Sequence, residues 1–264
     1  MYSREVVDKA LHLHSQGHSD RAVANACGVS LWTVRHWRYG RRRGADVEAR
    51  RRDRTSCCPK CSSGHLAPEA YAYLLGLYLG DGYIGRIRNG VDYLAILCAD
   101  AWPELMSECA QALAQVFPVK VYRVQRQGST EVKAASKHWR CVFPQHGPGR
   151  KHTRRIILEP WQREIVDAHP EKFVRGLMHS DGWRGVNRVR QRTPRGWKYY
   201  EYPRYDFVNA SRDIVNLMTD ALDLLGVPWT ERVQRRPPHQ DRITVSVARR
   251  DAVARLDEFV GAKG

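Results

Sequence analysis

YLLGLYLGDGYI, from Tyr73 to Ile84, returns one hundred residues later as FVRGLMHSDGWR, from Phe173 to Arg184. Gly76, Leu77, Gly80, Asp81 and Gly82 of the first stretch align with Gly176, Leu177, Ser180, Asp181 and Gly182 of the second. Self-similarity of this kind marks two copies of one structural unit. An acid kept at the same place in both copies predicts one site assembled from two halves. A lone Gly-x-x-x-Gly-Asp-Gly string is a weak signal, because Gly and Asp are common turn formers. The duplication carries the reading.

Residues 70–80 hold no charged side chain and are apolar or aromatic on every side, as in a helix enclosed by protein. The run is too short to span a bilayer. Gly76 and Gly80 lie one turn apart on a single face, as do Gly176 and Ser180. Small residues on one stripe let two helices approach closer than the usual ~8–10 Å. Gly82 and Gly182 are expected to supply the left-handed residue that closes each helix. Asp81 and Asp181 then sit side by side at two C-terminal helix ends, where the dipoles already present negative charge. Two carboxylates there need compensation, and a hard divalent cation with oxygen ligands supplies it.

The flanks repeat as well. Tyr83–Arg88 and Val91–Cys98 read as strands joined by Asn89-Gly90, a strong hairpin signal. A helix follows over Pro103–Phe117, then strands over Val119–Arg126 and Glu131–Phe143, then a helix over Glu159–Ala168. In the second copy, Arg184–Gln191 and Trp197–Asn209 read as strands. Ser211 caps a helix to Leu225, with Gly226 at its stop. Trp229–Arg235 and Arg242–Val247 are strands, and Asp251–Val260 is a closing helix.

In these motifs and this element order the chain resembles the LAGLIDADG homing endonucleases in their single-chain, two-repeat form, over roughly residues 68–262. The resemblance implies an α+β fold of two pseudo-symmetric α-ββ-α-ββ-α repeats, about 68–168 and 169–264, whose sheets form a saddle over double-stranded DNA. It further implies that Asp81 and Asp181 are catalytic and hold Mg²⁺ or Mn²⁺, joined by the carbonyls of Gly80 and Ser180. In the family each acid serves one strand, and a basic residue from nearby strands assists. Lys133, Lys137 and Arg242 are the candidates here. Arg175 and His179 depart from the family pattern in the second motif. The alternative function is a transcriptional regulator that joins such a domain to a helix-turn-helix and does not cut.

Composition agrees with a polyanionic partner. The chain carries 44 Lys and Arg against 28 Asp and Glu, a formal charge of +16, and such an excess speeds encounter with nucleic acid. Basic residues also alternate with apolar ones on the predicted strands. Arg86 and Arg88 share a face in the first copy, and Arg184, Arg188 and Arg190 share one in the second. Laid in the major groove, such side chains can read base edges.

The first 40 residues form a separate unit. Ser3–Ser15, Asp20–Cys27 and Leu31–Arg38 read as helices, with a glycine turn at Gly28-Val29-Ser30 before the third. This is the layout of a helix-turn-helix, and SDRAVANACGVSLWTVRHW looks like the DNA-binding units of resolvases and transposases. Val29, Val34 and Trp37 are expected in the core, leaving Trp32, Thr33, Arg35 and His36 for the major groove. Residues 41–67 are read as a linker. Its first part, RRRGADVEARRRDR, sets seven Arg against three acids, and Arg41, Arg42 and Arg43 are expected on phosphate.

Seven cysteines, with neither a leader-like segment nor a membrane-length run, predict a reducing, cytoplasmic and nucleoid-associated location. Cys58-Pro-Lys-Cys61 has the spacing of half a zinc site, with Cys57 and His65 nearby. No second Cys pair follows at finger spacing, so free thiols are favoured over structural Zn²⁺. With both repeats on one chain, a monomer is expected.

Overall fold

The computed structural model describes residues 2–40, 58, 61, 66–87, 91–194 and 196–261. Arg41, Arg42, Arg43, Cys57, His65, Arg88 and the Asn89-Gly90 turn lie outside the described residues. The chain divides into two compact units, Met1–Asp53 and Arg54–Gly264.

Among the described residues, the first unit holds three helices, α1 (Arg4–Ser15), α2 (Asp20–Cys27) and α3 (Leu31–Arg38). Each begins at a serine, Ser3, Ser19 or Ser30, whose hydroxyl accepts from the backbone N–H three residues on. Such a cap contributes about 1 kcal/mol. Gly28, at φ 62°, ends α2 in the left-handed region. Val7, Ala10, Val23, Ala24, Val34 and Trp37 form the core, with Val29 packed at its edge.

The described elements of the second unit begin with α4 (Pro68–Leu79), β1 (Gly82–Arg86), β2 (Asp92–Ala99) and α5 (Pro103–Val116). It continues with β3 (Val121–Arg126), β4 (Ser129–Ser136), α6 (Trp139–Val142) and α7 (Pro160–Ala168). The second copy runs α8 (Pro170–Asp181), β5 (Gly182–Thr193), β6 (Gly196–Asn209), α9 (Arg212–Leu224), β7 (Thr230–Gln234), β8 (Arg242–Val247) and α10 (Arg250–Phe259). The strands make two four-stranded antiparallel sheets of matching order, β1-β2-β4-β3 and β5-β6-β8-β7. The repeat is therefore structural, and the fold is α+β.

The two motif helices pack against each other through their glycines. A Cβ added at Gly76 would lie 2.7 Å from the Leu177 nitrogen and 2.8 Å from the Gly176 carbonyl carbon. One added at Gly176 would strike the Tyr73 carbonyl and lie 3.0 Å from the Gly76 Cα. Every residue of α4 from Ala70 to Leu79 is buried, which explains its lack of charge.

Two expectations are corrected. Gly82 and Gly182 do not close helices in the left-handed region: they open β1 and β5, Gly182 at φ −91° and ψ 158°. Glycine is needed there because the strand folds back on its own helix. A Cβ at Gly82 would lie 2.5 Å from the Tyr78 Cα, and one at Gly182 would lie 2.6 Å from the Met178 Cα. The second correction concerns 131–143, which is not one strand. β4 stops at Ser136 and the chain turns into α6, where buried Trp139 donates its indole N–H to the Ala134 carbonyl at 2.8 Å.

Strand register decides which side chains face the helices. Residues paired across adjacent strands share a face, and alternate residues take opposite faces. In the first sheet Ile84, Leu94, Ile96, Val132 and Ala134 point into the core. Tyr83, Tyr93, Tyr122, Arg126, Glu131 and Lys133 therefore line the opposite, open face. In the second sheet Tyr205, Phe207, Ile243, Val245 and Val247 point inward, leaving Trp183, Arg204, Asp206, Arg232 and Arg242 on the open face.

Candidate active site and nucleic-acid face

Asp181 is the last residue of α8, and Asp81 follows α4 by two positions. The end of α4 touches the end of α8 directly. A Cβ at Gly80 would run into the Ser180 hydroxyl and lie 3.1 Å from Asp181 Oδ2. Ser180 itself donates back to the Leu177 carbonyl at 2.9 Å, the usual fate of a serine hydroxyl within a helix. Asn209, at the end of β6, donates its amide to Asp181 Oδ2 at 2.8 Å. Its own Oδ1 accepts from the Ser211 N–H at 2.8 Å, which fixes the orientation of the amide.

A residue missed at the sequence level completes the cluster. Lys151, opening a short 3-10 turn, donates its ammonium to the carbonyls of Tyr78, Gly80 and Gly82, the last at 2.7 Å. A cation at the carboxyl end of α4 is where the helix dipole favours it. Part of the charge compensation expected from a metal is thus supplied by the chain, and the Gly80 carbonyl is one of the groups it uses. Burial pushes the Lys151 ammonium down to a pKa of about 8, while the carboxylates of Asp181 and Asp81 pull the other way. A cavity of about 220 Å³ opens among Gly80, Lys151, His152, Asp181 and Asn209.

The two departures in the second motif have structural partners. The buried His179 imidazole bonds the Val260 carbonyl through Nε2 at 2.9 Å, and its Nδ1 meets the Tyr73 hydroxyl at 2.9 Å. A carbonyl only accepts, so Nε2 carries a proton and donates it to Val260. Arg175 bridges Glu108 of α5 at 2.6 Å and the Phe259 carbonyl at 2.6 Å. Both residues tie α8 to neighbouring helices.

Of the three basic candidates, Lys133 lies on the open face of the first sheet, 3.5 Å from Glu131 and over the Tyr93 ring. Glu131 is held below the usual carboxylate range by its hydrogen bond from Arg126, against the effect of burial. Lys137 is exposed in the turn after β4. Arg242 opens β8 opposite Gln234 on the open face of the second sheet.

Register reassigns two of the strand arginines. Arg86 shares the helix-side face with Ile84 and bonds Asp92 at 3.1 Å. Arg184 pairs across to buried Tyr205 and makes a bidentate bridge to Asp257 of α10, both contacts at 2.8 Å. Arg188 and Arg190 lie farther along the same face of β5, beyond the part of β6 that pairs with β8. Arg188 pairs with Glu201 at 2.8 Å, and Arg190 stacks over Trp197.

In the first unit, Val34 and Trp37 are buried, as expected. Trp32 is 71% exposed and stacks on His36. The Thr33 hydroxyl meets that of Ser30 at 2.7 Å, and exposed Arg35 reaches Asp20 at 3.4 Å. Cys58 and Cys61 come together with His138 and Cys141 on the first repeat. No described helix is long and apolar enough to cross a membrane.

No family model matches the chain, and no curated protein does. Solved structures of similar architecture include I-DmoI in complex with DNA and Mn, at 15% identity and a TM-score of 0.48, covering 74% of this chain and 98% of that one. The N-terminal LAGLIDADG domain of DUF199/WhiA aligns at 14% identity and a TM-score of 0.43, covering 74% and 83%. The LAGLIDADG meganuclease I-AabMI bound to uncleaved DNA aligns at 14% identity and 0.44, covering 72% and 82%. With two motif helices crossing at their glycines and each leading into a β-β-α-β-β copy, the chain is similar in fold to the single-chain, two-repeat LAGLIDADG homing endonucleases.

Proposed function

We propose that the chain is a site-specific endonuclease of double-stranded DNA that uses Mg²⁺ or Mn²⁺ held by Asp81 and Asp181. The observation that supports this most is the meeting of the two motif-helix ends at one cavity, with Asp181 and a buried ammonium in its wall. Carboxylates and backbone carbonyls form an all-oxygen donor set, which suits a hard divalent ion. When bound, such an ion polarises a scissile phosphate and lowers the pKa of water at the site. Asn209 fixes one oxygen of Asp181. Lys151 supplies a preorganised positive charge for the negative charge that develops on the phosphate. Arg126 and Lys133 on one open face, with Arg232 and Arg242 on the other, are the side chains we assign to the duplex. In the first unit the assignment is Trp32, Thr33, Arg35 and His36 of α3 in the major groove, with Arg41, Arg42 and Arg43 on phosphate.

One observation favours a second reading, a DNA-binding regulator that does not cut. The Lys151 ammonium occupies the Gly80 carbonyl, a group that the family resemblance gives to a metal ion. Capture of genomic fragments on the full chain in Ca²⁺, followed by addition of Mg²⁺ and sequencing of the released ends, separates the two. Recurrent staggered ends at one sequence, absent with the Asp81→Asn/Asp181→Asn protein, support the nuclease. Enriched fragments that stay intact in Mg²⁺ and Mn²⁺ support the regulator.

A further inference from the structure

Cys58 and Cys61 lie just ahead of α4, whereas His138 and Cys141 lie at the corner where β4 gives way to α6. The fold brings the two pairs together, and the four ligand atoms all lie within 4.8 Å of one another. Cys61 Sγ is 3.6 Å from Cys141 Sγ, and Cys141 Sγ is 3.9 Å from His138 Nδ1. Two sulfurs on a tetrahedral zinc at ~2.3 Å from the metal stand roughly 3.7–3.8 Å apart. A disulfide needs only about 2.05 Å, well short of the 3.6 Å between Cys61 Sγ and Cys141 Sγ.

Local backbone geometry presents each pair from one side. The Cys61 N–H donates to the Cys58 carbonyl at 3.3 Å, which holds these two residues close together. The Cys141 N–H donates to the His138 carbonyl at 3.0 Å, so the H-x-x-C sits on a single helical turn. Burial is graded across the set: Cys58 is fully buried, His138 and Cys141 are half-buried, and Cys61 is exposed. Three thiols and one imidazole form a complete tetrahedral set of borderline-soft donors, which selects zinc over magnesium or calcium.

We propose that Cys58, Cys61, His138 and Cys141 form a structural Cys₃His zinc site. With four protein ligands it leaves no open position, which separates it from the oxygen-ligand chemistry assigned to Asp81 and Asp181. Its role is to pin the segment ahead of the first motif helix to the corner of the first sheet. The same corner already holds α4 directly, because the Tyr71 hydroxyl donates to the Val142 carbonyl beside Cys141. A metal bond there adds a covalent-strength tie to the core in which Cys58, Tyr71 and Val142 already pack, and binding free energy of this kind is folding free energy.

The test is metal analysis of the purified full chain, with Co²⁺ exchanged into the chelator-stripped protein. The expected result is one zinc per chain, and a cobalt derivative with thiolate charge-transfer absorption and intense visible bands of tetrahedral geometry. Cys141→Ser and His138→Ala are expected to lose at least half of the bound zinc, while Cys27→Ser in the first unit retains it. Chelation is expected to lower the unfolding temperature of wild type and leave that of Cys58→Ser/Cys141→Ser unchanged. A wild-type protein with zinc near zero and a weak, octahedral cobalt spectrum overturns the proposal, and so does full zinc retention by the double variant. Because the cobalt spectrum is read on wild type, a variant that fails to fold leaves the test decisive.

Discussion

The ammonium of Lys151 reaches the carbonyl of Gly82 at 2.7 Å, so a side chain from outside both motifs places its charge at the carboxyl end of the first motif helix. Burial lowers its pKa, and the fields of Asp181 and Asp81 oppose that fall. The acids of the two motifs are thereby coupled to a third charge that neither motif contains.

Replacing that ammonium by an uncharged chain of similar length isolates its role. Lys151→Met is expected to slow DNA cleavage by about 10²-fold, the usual loss when one preorganised electrostatic group is removed. Far-ultraviolet circular dichroism is expected to be unchanged. Cleavage at the wild-type rate by folded Lys151→Met protein would remove Lys151 from the site.

The helix crossing leaves no room for a methyl group. Gly76→Ala and Gly176→Ala place a carbon against the backbone of the facing helix. Overpacking of this kind costs about 1–3 kcal/mol. Urea unfolding is expected to show the loss for each variant, and a midpoint equal to wild type in both contradicts the crossing.

The open faces make a different prediction from the helix-side ones. Arg232→Ala and Arg242→Ala are expected to weaken DNA binding, each lowering the salt slope by about 0.9 for the one phosphate it no longer neutralises. Arg86→Ala and Arg184→Ala are expected to leave that slope unchanged while lowering stability, since their partners are Asp92 and Asp257. Fluorescence titrations over a salt series distinguish the two groups, and equal slopes across all four variants contradict the face assignment.

Acid sensitivity follows from Asp92. Burial opposes its ionisation, but hydrogen bonds from Arg140 at 2.7 Å and Arg86 at 3.1 Å outweigh that and hold its pKa below the usual value. A depressed folded-state pKa means that the unfolded chain binds the proton more readily. The stabilisation is therefore complete above the unfolded value, about 4, and is lost as pH falls through the folded one. Urea midpoints below pH 4 are expected to fall more steeply in wild type than in Asp92→Asn. Parallel curves would count against this coupling.

How far the sequence carries depends on the range of the interaction. The bounds of α3 and β8, the cap at Ser211 and the left-handed stop at Gly226 are local, and each is legible from the residues themselves. Alternation sorts the strand residues into two faces, but which face meets the helices is a property of packing. Charge alone therefore puts Arg86 and Arg184 on the open side, although they follow the parity of Ile84 and Tyr205. Reading 131–143 as one strand also separates His138 from Cys141, because residues three apart on a strand face opposite ways. The helical turn of α6 reunites them. Lys151 leaves no local signal beyond a basic run, because its three acceptors lie some seventy residues away in the chain.

The most direct measurement is cleavage of a captured DNA target in Mg²⁺ by wild type, Asp81→Asn and Asp181→Asn, with binding in Ca²⁺ measured alongside. A nuclease built on the two acids makes double-strand cuts as wild type and none as either variant, with Ca²⁺-supported binding retained by all three. Cutting at the wild-type rate by both single variants, or no cutting by wild type at a target it binds, would contradict it.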